Sequence, residues 1–310
     1  MNTNDILFIR PRLKYDYYHD NVKGLGMKIV IPYKDYNLFL RVVRELWFKF
    51  DLPFKYIWYN NKVKDINTKY IIVKDPLITL EYLEWLRQIK QNCLIILSYA
   101  NRVNEDLLDP KKAKTYVDAV YSYDSHDCQK YGLRQRHEVY LDYFRIKEKK
   151  EVLYDAVYVG RDKGRIEKII ELEDQLNRHG LKTYFHISPT RSYMLFKQKN
   201  YKPVMPYDEY IDLINSSHAL INIVPNNQSN VTLRDMESVF NSIKCITNNL
   251  EIEKFELYDP SRFFIIGKDD MRNIKEFIYS DYKKVEENVL EKYKFTYVIN
   301  EMIHEVELSK

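Results

Sequence analysis

Short apolar runs rich in β-branched residues occupy positions 27–32, 70–73 and 93–98. Between them apolar residues recur every three or four positions, as in Leu38, Leu40, Val43, Leu46 and Trp47, and again in Ile78, Leu80, Leu83, Leu86 and Ile89. The runs predict buried strands and the wider spacing predicts amphipathic helices. Positions 54–58 and 117–121 are two further predicted strands. Regular alternation of strand and helix predicts parallel β-α-β units, so the first half reads as one sheet of about five strands closing near residue 145.

The charge-rich stretch 145–151 has no apolar face of its own and reads as a linker. A second series then starts with a strand over 154–159 and turns at Gly160. It continues in a helix with Ile166, Ile169, Ile170 and Leu176 on one side. Gly180, just beyond Arg178 and His179, predicts the end of that helix through a left-handed residue after a cationic last turn. Strands over 181–187, 218–224, 244–247 and 262–266 follow, with helices over 207–216 and from about Thr232. The tail is helical in its spacing, with Val289, Val298, Ile299, Met302 and Ile303 among its apolar positions. The expected fold is α/β, with two Rossmann-like domains over 1–145 and 146–285 and a C-terminal helix over 286–310 that crosses back to the first.

Composition narrows the partners. With 310 residues the chain has room for two ordinary cores. No apolar run reaches the ~18 residues that a spanning helix needs. A net charge of +4 is too mild for a nucleic-acid binder without a concentrated basic stripe. The 28 tyrosines belong to a bias toward Lys, Ile, Asn and Tyr spread along the whole chain, so their number alone does not mark a sugar site. Cys93, Cys128 and Cys245 are far apart and form no zinc or disulfide pattern, and residues 1–5 lack the basic-then-apolar order of a secretory signal. A cytoplasmic protein is expected. The basic and aromatic stretch 12–18 is suited to the anionic inner face of a membrane.

Two segments can carry chemistry. In Val159-Gly160-Arg161-Asp162-Lys163-Gly164-Arg165 a strand end, a glycine and three cations precede a helix, an arrangement that lets backbone and positive charge approach an anion. Its spacing is neither a P-loop nor a GxGxxG fingerprint. In the stretch from Gln228 to Glu237, Thr232 can cap the next helix, Arg234 can pair with phosphate, and Glu237 can accept from vicinal ribose hydroxyls. The plainer reading of the same residues is a cap in which Glu237 faces Arg234 or Lys244.

The order of residues 207–217, then 228–237, then 244–249, resembles the C-terminal half of bacterial glycosyltransferases of the GT-B type that build capsular polysaccharide and lipopolysaccharide. Residues 121–132 and the turn 159–165 are similar to segments of the same group. The resemblance implies two facing Rossmann-like domains, with a nucleotide-sugar held by the second and a saccharide or lipid-linked acceptor by the first. It implies transfer of a sugar from nucleotide-sugar to acceptor, with no metal, since no DxD lies between strands, and with no cofactor beyond the donor. Gly160, Arg161, Lys163, Arg165, Gln228, Thr232, Arg234 and Glu237 become the expected donor-binding residues, with Glu237 on the ribose. Asn101 is the expected acceptor contact. Asp124 and His126, beyond a predicted strand end, are the candidates for taking the acceptor's proton. Asn230 stands where the pattern would have glycine. The alternative from another class is a glycosyltransferase-like nucleotide-sugar binding or scaffold protein without turnover.

Overall fold

A computed structural model describes residues 2–11, 17–104, 107–141, 145–146, 148, 150–190, 200–224 and 230–309. Gln228 and positions 12–16 of the N-terminal basic stretch lie outside these residues. The chain divides into two compact units, one of Met1–His137 together with Val298–Lys310, the other of Glu138–Tyr297.

The strands of the first unit are β1 (Ile6–Ile9), β2 (Lys28–Val30), β3 (Tyr70–Lys74), β4 (Leu94–Ser98), β5 (Ala119–Ser122) and β6 (Arg134–Gln135). They form one parallel sheet in the order β2-β1-β3-β4-β5-β6. Its helices are α1 (Tyr17–Gly24), α2 (Leu38–Lys49), α3 (Lys62–Asp65), α4 (Leu80–Ile89), α5 (Pro110–Ala113) and α6 (Ser125–Tyr131). Leu7, Ile9, Ile71, Val73, Ile95 and Leu97 alternate along three neighbouring strands into one core with Leu83 and Leu86 of α4. Burial of β1 is complete on both faces, and it is the strand at which the order reverses. β1 is not among the strands that the sequence pattern predicts.

Residues 54–58, predicted as a strand, instead make a 3-10 helix over Lys55–Trp58. Pro53 donates no hydrogen bond and Phe54 turns left-handed at φ 61°, so an extended path is broken at its start. The aromatic alternation serves packing: the Trp58 ring lies 5.7 Å from that of Tyr36 and 5.9 Å from that of Trp47.

The second unit is built from β7 (Tyr154–Arg161), β8 (Thr183–Ser188), β9 (Ser217–Asn222), β10 (Lys244–Thr247) and β11 (Phe263–Ile265). Between and after them run α7 (Ile166–Arg178), α8 (Tyr207–Asn215), α9 (Leu233–Asn241), α10 (Ile274–Tyr279) and α11 (Glu287–Glu291). The sheet is again parallel, ordered β11-β10-β9-β7-β8. Numbered within each unit, both sheets read 2-1-3-4-5, a doubly wound order, and the first carries one more strand at its edge. Gly180 closes α7 with φ 74°, as its position after a cationic turn predicts.

Described residues of the expected linker are fastened to the second unit. The Ile146 amide donates to Asn241 Oδ1 at 2.7 Å, and Asn215 Nδ2 donates to the Glu148 carbonyl at 2.7 Å. The last helix, α12 (Phe295–Leu308), belongs to the first unit from Val298 onward, whereas residues 286–297 of the segment expected to cross back fall in the second unit. Val298, Ile299, Met302, Ile303 and Val306 are buried along one stripe. The Tyr121 hydroxyl, placed by β5, meets the Met302 carbonyl at 3.1 Å and Glu305 Oε2 at 2.7 Å. No described helix is long and apolar enough to cross a membrane.

Candidate functional site

In the second unit β8 continues the sheet on one side of β7 and β9 on the other. The chain leaves these strands in opposite directions, which opens a crevice at their carboxyl ends. A cavity of about 410 Å³ occupies that place. The end of β7 supplies Gly160 and Arg161, the turn after it Lys163 and Arg165, the end of β9 Asn222, and the start of α9 Thr232, Arg234 and Glu237. Every described residue of the expected donor set therefore lines one cavity.

The amino end of α9 is fixed by a capping box. Thr232 is its N-cap, and Asp235 Oδ2 accepts from the Thr232 amide at 2.8 Å and from its hydroxyl at 2.9 Å. Asn222 Nδ2 reaches both Thr232 Oγ1, at 3.0 Å, and Asp235 Oδ1, at 2.8 Å, tying the cap to the last residue of β9. The Thr232 hydroxyl is thus committed to the cap. Burial raises the Asp235 carboxyl above the usual range, against hydrogen bonds from Thr232 and Asn222 that favour its charge. The cap holds the positive end of the helix against the cavity wall.

Arg234 crosses from α9 to β7. Its Nη2 donates to the Val159 carbonyl and its Nη1 to the Tyr210 hydroxyl at 2.9 Å, with the guanidinium 5.1 Å over the Tyr210 ring. The Tyr210 hydroxyl passes the chain on to Glu237 Oε2, while Tyr207 donates to Oε1 at 2.8 Å. Arg234 and Glu237 lie one helical turn apart, 4.0 Å between Nη1 and Oε2. Burial raises the Glu237 carboxyl, opposed by Arg234 and the two phenols. Burial and then the charge of Glu237 push both phenols well above the ordinary tyrosine value. Glu237, expected on a ribose, has each oxygen engaged by a tyrosine, and only the second lone pair of each remains for a ligand. Tyr207 and Tyr210 sit three apart on one face of α8, a spacing visible in the sequence that carried no expectation.

Gly160 leaves room beside the Arg234 guanidinium. A Cβ there would meet the Tyr158 hydroxyl at 2.9 Å and Arg234 Nη2 at 3.6 Å. Arg165 is spent on the scaffold, since its guanidinium donates to the Ile223 carbonyl at 2.5 Å and to the Asp162 carbonyl at 3.1 Å. Asp162 is buried under Thr190 and the Tyr201 hydroxyl, which lies at 2.7 Å. Arg161 donates to the Thr190 carbonyl at 3.2 Å. Lys163 adopts φ 43°, a left-handed conformation that costs a non-glycine residue on the order of 1 kcal/mol, followed by Gly164 at φ 77°. Burial, and then repulsion from Arg165, Arg161 and Arg234, draws the Lys163 ammonium below the usual lysine value. Four cations around one recess form a site that an anion stabilises.

The first unit places the remaining expected residues. Asp124, a candidate proton acceptor, is fully buried as the N-cap of α6, where Oδ1 accepts from the Asp127 amide at 3.0 Å and Oδ2 faces Arg102 Nε at 3.2 Å. Its carboxylate is therefore a helix cap closed to solvent. The His126 side chain is 61% exposed, with Nδ1 3.9 Å from Asp127 Oδ1. Asn101 Nδ2 donates to Asp75 Oδ2 at 3.3 Å. Among the described residues Asp124, His126 and Asp127 form one group whose ligand atoms lie within 4.8 Å of one another. Two of its members are already occupied, Asp124 by the cap and Asp127 by the Val103 amide at 2.7 Å. Asn230 is buried and accepts from Asn249 Nδ2 through its carbonyl at 3.1 Å.

No protein-family model matches the chain, and no curated protein matches it. Among solved structures, Spinosyn Forosaminyltransferase SpnP aligns over 99% of this chain and 95% of that one, at 10% identity and a TM-score of 0.37, a likeness too low to carry an argument about activity.

Proposed function

We propose that the protein is a glycosyltransferase that moves a sugar from a nucleotide-sugar to a saccharide or glycolipid acceptor of the cell surface, with the donor diphosphate in the cavity of the second unit. One observation carries this reading: the crevice where the strand order reverses holds Lys163, Arg161, Arg165 and Arg234 beside the amino end of α9. That combination suits a diphosphate, and charge building on it as the glycosidic bond breaks is met by fixed cations in a recess. Lys163 is the most available of these cations, and Arg234 is held in place by Val159 and Tyr210 for the same task. Protein cations supply the charge that a metal would otherwise bring. Glu237 acts first on Arg234 and the tyrosines, and takes ribose hydroxyls through its unused lone pairs. The acceptor is assigned to the first unit, with Asn101 as a contact. His126 is the exposed group for the acceptor's proton, and Asp124 is a positioning residue that caps its helix.

The test is release of nucleoside diphosphate from a panel of nucleotide-sugars, with and without glycan and glycolipid acceptors. Acceptor-dependent release, slowed about 10²-fold or more by Arg234→Ala, supports transfer. Saturable binding without product identifies a nucleotide-sugar binding protein instead. No binding of any nucleotide removes the proposal.

A further inference from the structure

Helix α2 is amphipathic, with Arg41, Arg44, Glu45 and Lys49 beside a wide apolar sector, yet none of its residues is buried. An apolar sector this wide normally faces a core. Val43, Trp47 and Phe48 pack its inner side against the core of the first unit. Leu38, Phe39, Val42, Leu46 and Phe50 share the opposite sector, with Leu38 76%, Phe39 73% and Phe50 67% exposed. The surface continues into the following loop with Leu52, Phe54, Tyr56 and Ile57, Phe54 being 63% exposed. This loop is held in shape, because Trp47 Nε1 donates to the Pro53 carbonyl and the Leu52 amide to the Trp47 carbonyl.

Charge indicates what covers this face. Residues 34–65 hold seven Lys and Arg against four Asp and Glu, a net +3 in a chain whose total is +4. Arg41 and Lys49 are exposed on the helix itself, and Lys62 and Lys64 on α3. Asp51 and Glu81 are turned to Lys55. Exposed phenylalanines and a tyrosine among cations are the composition of a helix that lies in the headgroup layer. A cavity of about 420 Å³ opens beside α2, lined by Phe48, Leu77, Leu97, Leu107 and Leu108 among others, and offers room to a hydrocarbon segment. We propose that α2 and the loop through Ile57 form a docking surface for a bilayer containing anionic lipid. The inference does not depend on the sugar-transfer reading.

The test is co-sedimentation of the full chain with phosphatidylcholine vesicles, with and without phosphatidylglycerol. Binding is expected to require phosphatidylglycerol and to weaken with added salt. Phe39→Glu with Leu46→Glu should reduce it about tenfold or more, as should Phe50→Ser with Phe54→Ser, while the exposed Leu250→Glu in the second unit leaves it unchanged. All of these positions are exposed, so circular dichroism melts should match the parent. Three results would overturn the proposal: a parent protein that stays in the supernatant, variants that bind as the parent does, or a parent dimer that the double variants convert to monomer, which would assign the face to a second copy.

Discussion

The Tyr210 hydroxyl is the residue-scale hinge of the site, since it accepts from Arg234 and donates to Glu237. Tyr210→Phe removes both contacts and leaves a buried carboxylate oxygen short of a partner, which should cost about 1–3 kcal/mol in urea unfolding. Lys163 gives a prediction in pH. Its value is lowered when the site is empty, so the unfolded chain holds this proton to higher pH than the folded one, and stability rises with pH through that window as the ordinary lysine value is approached. A bound anion favours the charged ammonium, so pyrophosphate affinity should fall as pH rises through the same window. Lys163→Arg should flatten that profile; an unaltered profile would remove Lys163 from the site. Arg161, Lys163, Arg234 and Glu237 were legible as neighbours in one cavity because charge next to a glycine or a helix start is a local signal. The partners of Glu237 were not, because Tyr207 and Tyr210 come from another helix and only the fold brings them there. Asp124 shows the opposite limit: an acidic residue after a strand looks the same in sequence whether it caps a helix or faces a substrate.

Helix α9 brings Arg234 and Glu237 to the cavity and depends on its cap. Asp235→Ala breaks the capping box and takes away one of the two acceptors of Asn222 Nδ2, so a loss of about 1–2 kcal/mol is expected from thermal unfolding, together with weaker anion binding. Retention of full stability would mean that the box is not what holds the helix start. The Thr232-x-x-Asp235 spacing was available in the sequence as a start signal. The strands of the second unit were legible because long apolar runs alternate with helices carrying one apolar stripe. In the first unit the aromatic 54–58 segment passed for a strand, because alternating aromatics satisfy the period of a strand and a 3-10 turn packed by Trp58 alike.

Both units share a doubly wound strand order, and the second carries a cation-lined crevice at its switch point. That unit is one continuous stretch with its own sheet and core, so residues 138–297 expressed alone should unfold cooperatively and retain anion binding. Residues 1–137 lack the helix that meets Tyr121 and should be markedly less stable, as monitored by hydrogen exchange across β5. The two-part order of the chain was readable from β-α alternation alone. The sequence pattern sends 286–310 back to the first unit, and the boundary at Val298 comes only from the packing.

The crevice between β7 and β9 is proposed as a diphosphate site, and calorimetric titration with pyrophosphate and with UDP reads its occupancy without turnover. Saturable single-site binding is expected, weakened about tenfold or more by Lys163→Ala at a melting temperature close to the parent, and also by Arg234→Gln, which should melt lower because it removes the partner of the buried Glu237. Equal affinity in parent and variants, or no heat of binding in the parent, would contradict it.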